Sequence, residues 1–118
     1  MSDSPQSDIL DLPALKRNFA DDMGFVVRLL TKFEGRYPAQ LHAVREALAR
    51  SDGTAAGEAA HRIAGETSVF YATAARQAAL RIEDLARAGQ IPEATAACDT
   101  LAAELDRLAS TLRGLEHS

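Results

Sequence analysis

Apolar residues recur along most of the chain at intervals of three and four, the period of helices buried on one face. Strand-like alternation at intervals of two is missing. The longest run is Val26, Leu29/Leu30, Phe33, Tyr37, Leu41, Val44 and Leu48, which predicts a helix from about Asp22 to Arg50. Pro38 falls inside it and removes one backbone donor, and Gly35 adds pliability one turn earlier. The stripe keeps its phase across both, so the spacing predicts one bent helix. Ser51-Asp52-Gly53 forms the turn and cap before a central helix reaching about Phe70 or Tyr71. Ala75, Ala78/Ala79, Ile82 and Leu85 are the inner stripe of the next, from about Ala74 to Ala88. Gly89 ends that helix, with Arg87 near its C-terminal carbonyls. Pro92 opens the last, whose Ala94, Ala97/Cys98, Leu101, Leu105, Leu108, Leu112 and Leu115 keep a nearly strict heptad. At the start of the chain, residues 1–8 read as a disordered polar leader. Ile9, Leu10, Leu12, Leu15 and Phe19 then predict a short helix from about Asp11, with Pro13 in its first turn. Connections of a few residues make sequential helices antiparallel neighbours. The predicted fold is all-α: one domain over residues 9–118, an antiparallel four-helix bundle with a short additional N-terminal helix.

The central helix carries the most informative stretch, Glu58-Ala-Ala-His-Arg-Ile-Ala-Gly-Glu-Thr-Ser-Val-Phe70. At 100° per residue, Ile63 and Phe70 fall within about 20° of each other, with Ala56, Ala59 and Thr67 close by, and define the buried face. His61 then lies about 160° from Ile63 and points to water. Gly57, Gly65 and Ser68 are expected around it on the outer face. An imidazole surrounded by such small residues can be approached closely by another macromolecule. A glycine costs roughly 1 kcal/mol in a helix interior relative to Ala, so two flanking one exposed histidine call for a reason, and access is the simplest.

Composition narrows the function classes. The 118 residues are 47% hydrophobic and 25% charged, with 5% aromatics and no Trp, which favours helix packing over a sheet core. The net charge of −4 argues against nucleic acid or an anionic membrane as partner. No apolar run approaches the roughly 18 residues of a membrane span. A single cysteine, Cys98, has no internal disulfide partner and falls on the apolar stripe of the last helix, where it packs as a small hydrophobe. A cytoplasmic protein is expected.

Other chemistries fit less well. Glu58-Ala-Ala-His61 has the Glu-x-x-His spacing of di-iron bundles. Those sites need a second such pair facing the interior, whereas His42 and His117 follow Ala39 and Gly114 at that spacing, so no metal is expected. Ser68 lies two turns from His61, too far for a nucleophile–base relay with Ser68 or Thr67. Arg62 and Arg76 read either as ordinary solvated charges or as cations close enough to favour an anion near His61. No stretch reads as a nucleotide-binding loop, so autonomous kinase activity is not expected.

The pattern as a whole resembles the histidine phosphotransfer (Hpt) domain, the carrier module of multistep phosphorelays. The likeness runs through Phe33-Glu-Gly-Arg-Tyr-Pro-Ala-Gln-Leu41, Ala59-Ala-His-Arg-Ile-Ala-Gly65, Phe70-Tyr-Ala72 and Leu80-Arg-Ile-Glu-Asp-Leu-Ala-Arg-Ala-Gly89. The family's motif is His-x-Leu-Lys-Gly, followed by an apolar residue and Gly-Ala, and His61, Ile63, Gly65, Phe70 and Ala72 occupy matching positions. The resemblance implies that His61 is the phosphoacceptor and that Gly65 leaves room for the partner. The implied docking surface comprises Gly57, Glu58, Ala60, Arg62, Ala64, Gly65 and Ser68. The implied partner is a response-regulator receiver domain or a hybrid sensor kinase. No cofactor is expected on this chain, which should be a monomer, and the receiver would bring Mg²⁺. Two positions depart from the motif: Ala64 stands where it has lysine, and Tyr71 where it has the later glycine. Loss of the lysine should slow transfer rather than forbid it, with Arg62 a partial substitute. The alternative is an Hpt-like module that docks on a receiver or kinase, or inhibits it, without carrying phosphate.

Overall fold

The computed structural model of the chain describes residues 11, 13, 14, 17 and 22–116, and four helices account for nearly all of them. They are α1 (Met23–Ala49), α2 (Gly53–Val69), α3 (Thr73–Arg87) and α4 (Ile91–Glu116). The expected leader, most of the expected N-terminal helix and His117 lie outside the described residues. Of that helix, Pro13, Ala14 and Arg17 are helical, and the Asp11 carboxylate accepts from the Ala14 amide at 3.1 Å, as an N-cap would.

The ends of the four helices follow from local chemistry. Asp22 and Asp52 cap α1 and α2, accepting from the amides of Phe25 and Ala55 at 3.0 Å each. Helices α1, α2 and α3 all close with the same paired backbone bonds, the Schellman arrangement. At α3 the Gly89 amide reaches the Ala86 carbonyl and the Gln90 amide reaches that of Leu85. This motif needs a left-handed residue just past the helix. Gly89 supplies it at φ +79, whereas Ser51 (φ 57) and Tyr71 (φ 55) adopt it with side chains. The glycine that the motif expects at position 71 therefore has a backbone reason. Pro38 lies within an unbroken α1, exposed to solvent.

Each helix packs on its neighbours in sequence, and α1 closes the ring against α4. The core is built on Leu101, Leu105, Leu108 and Leu112 of α4, with Leu30 and Val44 of α1, Ile63 of α2 and Ile82 of α3, all essentially fully buried. Cys98 joins this row, and burial pushes its thiol pKa up. Within α1, Phe33 stacks on Tyr37, and it meets Phe70 at the end of α2 edge-on. The Tyr37 hydroxyl donates to Asp106 at 2.8 Å and ties α1 to α4.

The α2–α3 seam is of a different kind. Apart from Ile63, Thr67 and Ile82, the residues these two helices bury are small: Ala56, Gly57, Ala59, Ala60 and Ala64 on α2, and Ala75, Ala79 and Ala86 on α3. Interaxial distance follows the size of the side chains at the contact, so these two backbones come unusually close. A Cβ added at Gly53 would lie 2.2 Å from the Ala86 carbonyl oxygen. The buried hydroxyl of Thr67 is satisfied within its own helix by the carbonyls of Ile63 and Ala64.

Candidate functional site

The close α2–α3 seam brings a carboxylate to His61. The imidazole stands on the outer face of α2 with 67% of its side chain exposed. Its Nδ1 lies 3.0 Å from Oε1 of Glu83, across on α3. The other oxygen of that carboxylate, Oε2, accepts from Nε of Arg87 one turn further along α3, also at 3.0 Å. Glu83 itself is only 15% exposed. The hydrogen bond to His61 holds its carboxyl below the usual carboxylate range, and Arg87 adds to this against the opposing effect of burial.

These contacts determine what the ring can do. An ionised carboxylate can only accept, so in the neutral imidazole the proton sits on Nδ1 and Nε2 carries the bare lone pair. Nε2 makes no hydrogen bond among the described residues. A nucleophilic nitrogen thus faces solvent, with an anion behind the ring to offset the positive charge gained when Nε2 forms a bond. Because its pKa is lowered on folding, Glu83 contributes stability that is present above the ordinary carboxylate range and is lost as pH falls through the lowered value. Urea denaturation at several pH values should therefore show the parent more stable than Glu83→Gln near neutrality. The difference should vanish once the pH falls through the lowered carboxyl value, and a difference that persisted below that value would refute the pairing.

Of the residues expected around His61, Glu58, Arg62, Gly65 and Ser68 are exposed on its face. Gly57, Ala60 and Ala64 are not: all three are buried, which corrects the open docking surface expected for them. They lie on the α3 side of His61, and α2 packs against both α1 and α3. Burial therefore extends past the arc marked by Ile63 and Phe70. Gly57 is covered by Arg87, whose Cγ would lie 2.9 Å from an added Cβ. Gly65 has nothing within 4 Å of such an atom and is open. Arg62 and Arg76 are exposed and form no ion pair among the described residues. Ser68 donates to the Gly65 carbonyl at 2.8 Å and is not linked to His61. His42 sits apart on α1, beside Glu46.

Glu83 and Arg87 are the site residues that the sequence pattern missed. Glu83 is 22 positions from His61, and helical periodicity carries no information about register between helices. The one signal was the i,i+4 spacing of Glu83 and Arg87.

Among the described residues there is no group of three or more His, Cys, Asp and Glu that could hold a metal ion, and no helix is long and apolar enough to cross a membrane. No curated protein and no solved structure matches the chain significantly. The family model of the Hpt domain matches residues 28–111, well over half of the chain and including all of α2 and α3. With that match, an all-helical four-helix architecture and an exposed histidine on the second helix, the chain belongs to the Hpt domain family, the phosphotransfer modules of phosphorelays.

Proposed function

We propose that His61 accepts a phosphoryl group from the aspartate of a response-regulator receiver domain and returns it, as a carrier between two such partners. The observation that carries this reading is the exposed imidazole, held from behind at Nδ1 by Glu83 and bare at Nε2. The Nε2 lone pair attacks phosphorus, the bond to the aspartyl oxygen breaks, and the aspartate leaves as carboxylate. The ring keeps its Nδ1 proton throughout, and its positive charge is offset by Glu83. The reverse transfer runs through the same contacts. In this reading the receiver brings Mg²⁺, which supplies most of the charge stabilisation on the phosphoryl oxygens. That division of labour makes the alanine at position 64 tolerable. The carrier works as a cytoplasmic monomer without kinase activity of its own.

The docking face consists of Glu58, Arg62, Gly65 and Ser68, joined by the exposed Val69. Gly65 supports this assignment, because nothing in the chain's own packing requires a glycine there. Gly65→Ala should stabilise the fold by up to about 1 kcal/mol and slow transfer from a phosphorylated receiver. Thermal unfolding and transfer kinetics measured together check this, and unchanged kinetics would remove Gly65 from the docking face. The direct test incubates a phosphorylated receiver with the protein and follows label onto it. Binding without label would favour the docking-module reading that Ala64 motivates.

A further inference from the structure

The carrier reading uses His61 and explains Glu83, but it leaves two features of the seam unaccounted for. Gly57 is a buried glycine in a helix interior, where it costs stability and gives no partner access. Arg87 lies directly against it: Cγ, Nε and Cζ would stand 2.9, 3.1 and 3.3 Å from a Cβ at position 57. Those atoms include the nitrogen that donates to Glu83.

We propose that Gly57 is the seat of Arg87, and that Arg87, held there, is a positioning residue for His61. Lying across the bare backbone at Gly57, the guanidinium engages Oε2 of Glu83 and leaves Oε1 turned to Nδ1 of His61. Three side chains from two helices then form one chain of contacts, Arg87 to Glu83 to His61, with both carboxylate oxygens used. Without Arg87, Glu83 gains freedom about its last torsion, and its hold on Nδ1 becomes one orientation among several. The consequence for His61 is which nitrogen carries the proton, and hence whether Nε2 is available. An i,i+4 pair on one helix face would serve α3 alone. The contact with Gly57 on α2 makes this one serve the site.

The purpose assigned to this arrangement rests on the carrier reading, but its test needs no phosphate. Nitrogen-15 NMR at a pH where His61 is neutral reports the ratio of Nδ1–H to Nε2–H tautomers directly. The parent should show mainly Nδ1–H. Arg87→Ala should lower the ratio by about two- to fivefold, the hold that one partly exposed charge pair supplies. Gly57→Ala should lower it similarly, although it alters no polar or titratable group. The double variant should match Arg87→Ala alone, because Gly57 acts only through Arg87. The parent ratio persisting in either single variant overturns the proposal, and so does a double variant well below Arg87→Ala. Should Gly57→Ala fail to fold by circular dichroism, the Arg87→Ala ratio decides by itself. Absence of phosphoryl transfer in the parent would bear on the carrier reading and leave the tautomer result standing.

Discussion

His61→Gln should reduce phosphoryl acceptance from a phosphorylated receiver to background and leave the fold intact. Label on the parent should be acid-labile and alkali-stable, as a phosphoramidate bond to an imidazole is. Glutamine has no basic lone pair, so no covalent intermediate can form at position 61. The imidazole is two-thirds exposed and belongs to no part of the core, and the glutamine amide can still donate to Glu83, so the loss of stability should stay within about 1 kcal/mol. A variant that loses the label and still melts with the parent separates chemistry from folding. Label persisting on His61→Gln would move the acceptor elsewhere. Label absent from the parent, in the presence of a receiver that demonstrably binds, would make the domain a docking or inhibitory module.

Gly53→Ala should be the most damaging single-methyl change in the bundle, costing about 3 kcal/mol. For a domain of this size that corresponds to a fall in Tm of roughly 10 °C. The added Cβ would stand 2.2 Å from the Ala86 carbonyl oxygen and 3.2 Å from its carbon. No rotamer relieves a clash between backbone and Cβ. The carbonyl cannot swing aside cheaply either, because it accepts the Gly89 amide that closes α3. The start of α2 must therefore move off the end of α3, and the same shift would part His61 from Glu83. Gly35→Ala is the control, since nothing lies within 4 Å of its added Cβ. That change should be neutral or stabilising by up to about 1 kcal/mol. Urea or thermal denaturation of the pair checks the claim, and a Gly53→Ala loss below about 1 kcal/mol would mean that the seam is looser than drawn.

The Gly53 expectation depends on the α2–α3 seam, and that seam marks the boundary between what was legible in the sequence and what was not. Helix number, approximate limits and buried stripes follow from the recurrence of apolar residues, from Asp52 and Gly89 at the ends, and from Pro92. These are properties of single segments, set by a 3.6-residue period and by local hydrogen bonding. The outward phase of His61 is of this kind too, because Ile63 and Phe70 mark the opposite face. The motif around His61 pointed to the family for the same reason: its residues are neighbours on one helix.

Only the packed bundle decided the rest. Glu83 meets His61, and Arg87 meets Gly57, through the register of α3 against α2, which is set where Gly53 and the alanines of both helices let the backbones close. One helix's stripe shows which face is apolar but not how far a neighbour reaches round its flank. That is why Gly57, Ala60 and Ala64 were expected on the surface and are buried. Tyr71 holds a left-handed backbone because the turn between α2 and α3 demands it, whatever the residue prefers. Period and capping chemistry are local and readable along the chain. Register between helices is a global solution to packing small residues closely, and it alone placed a carboxylate behind the histidine.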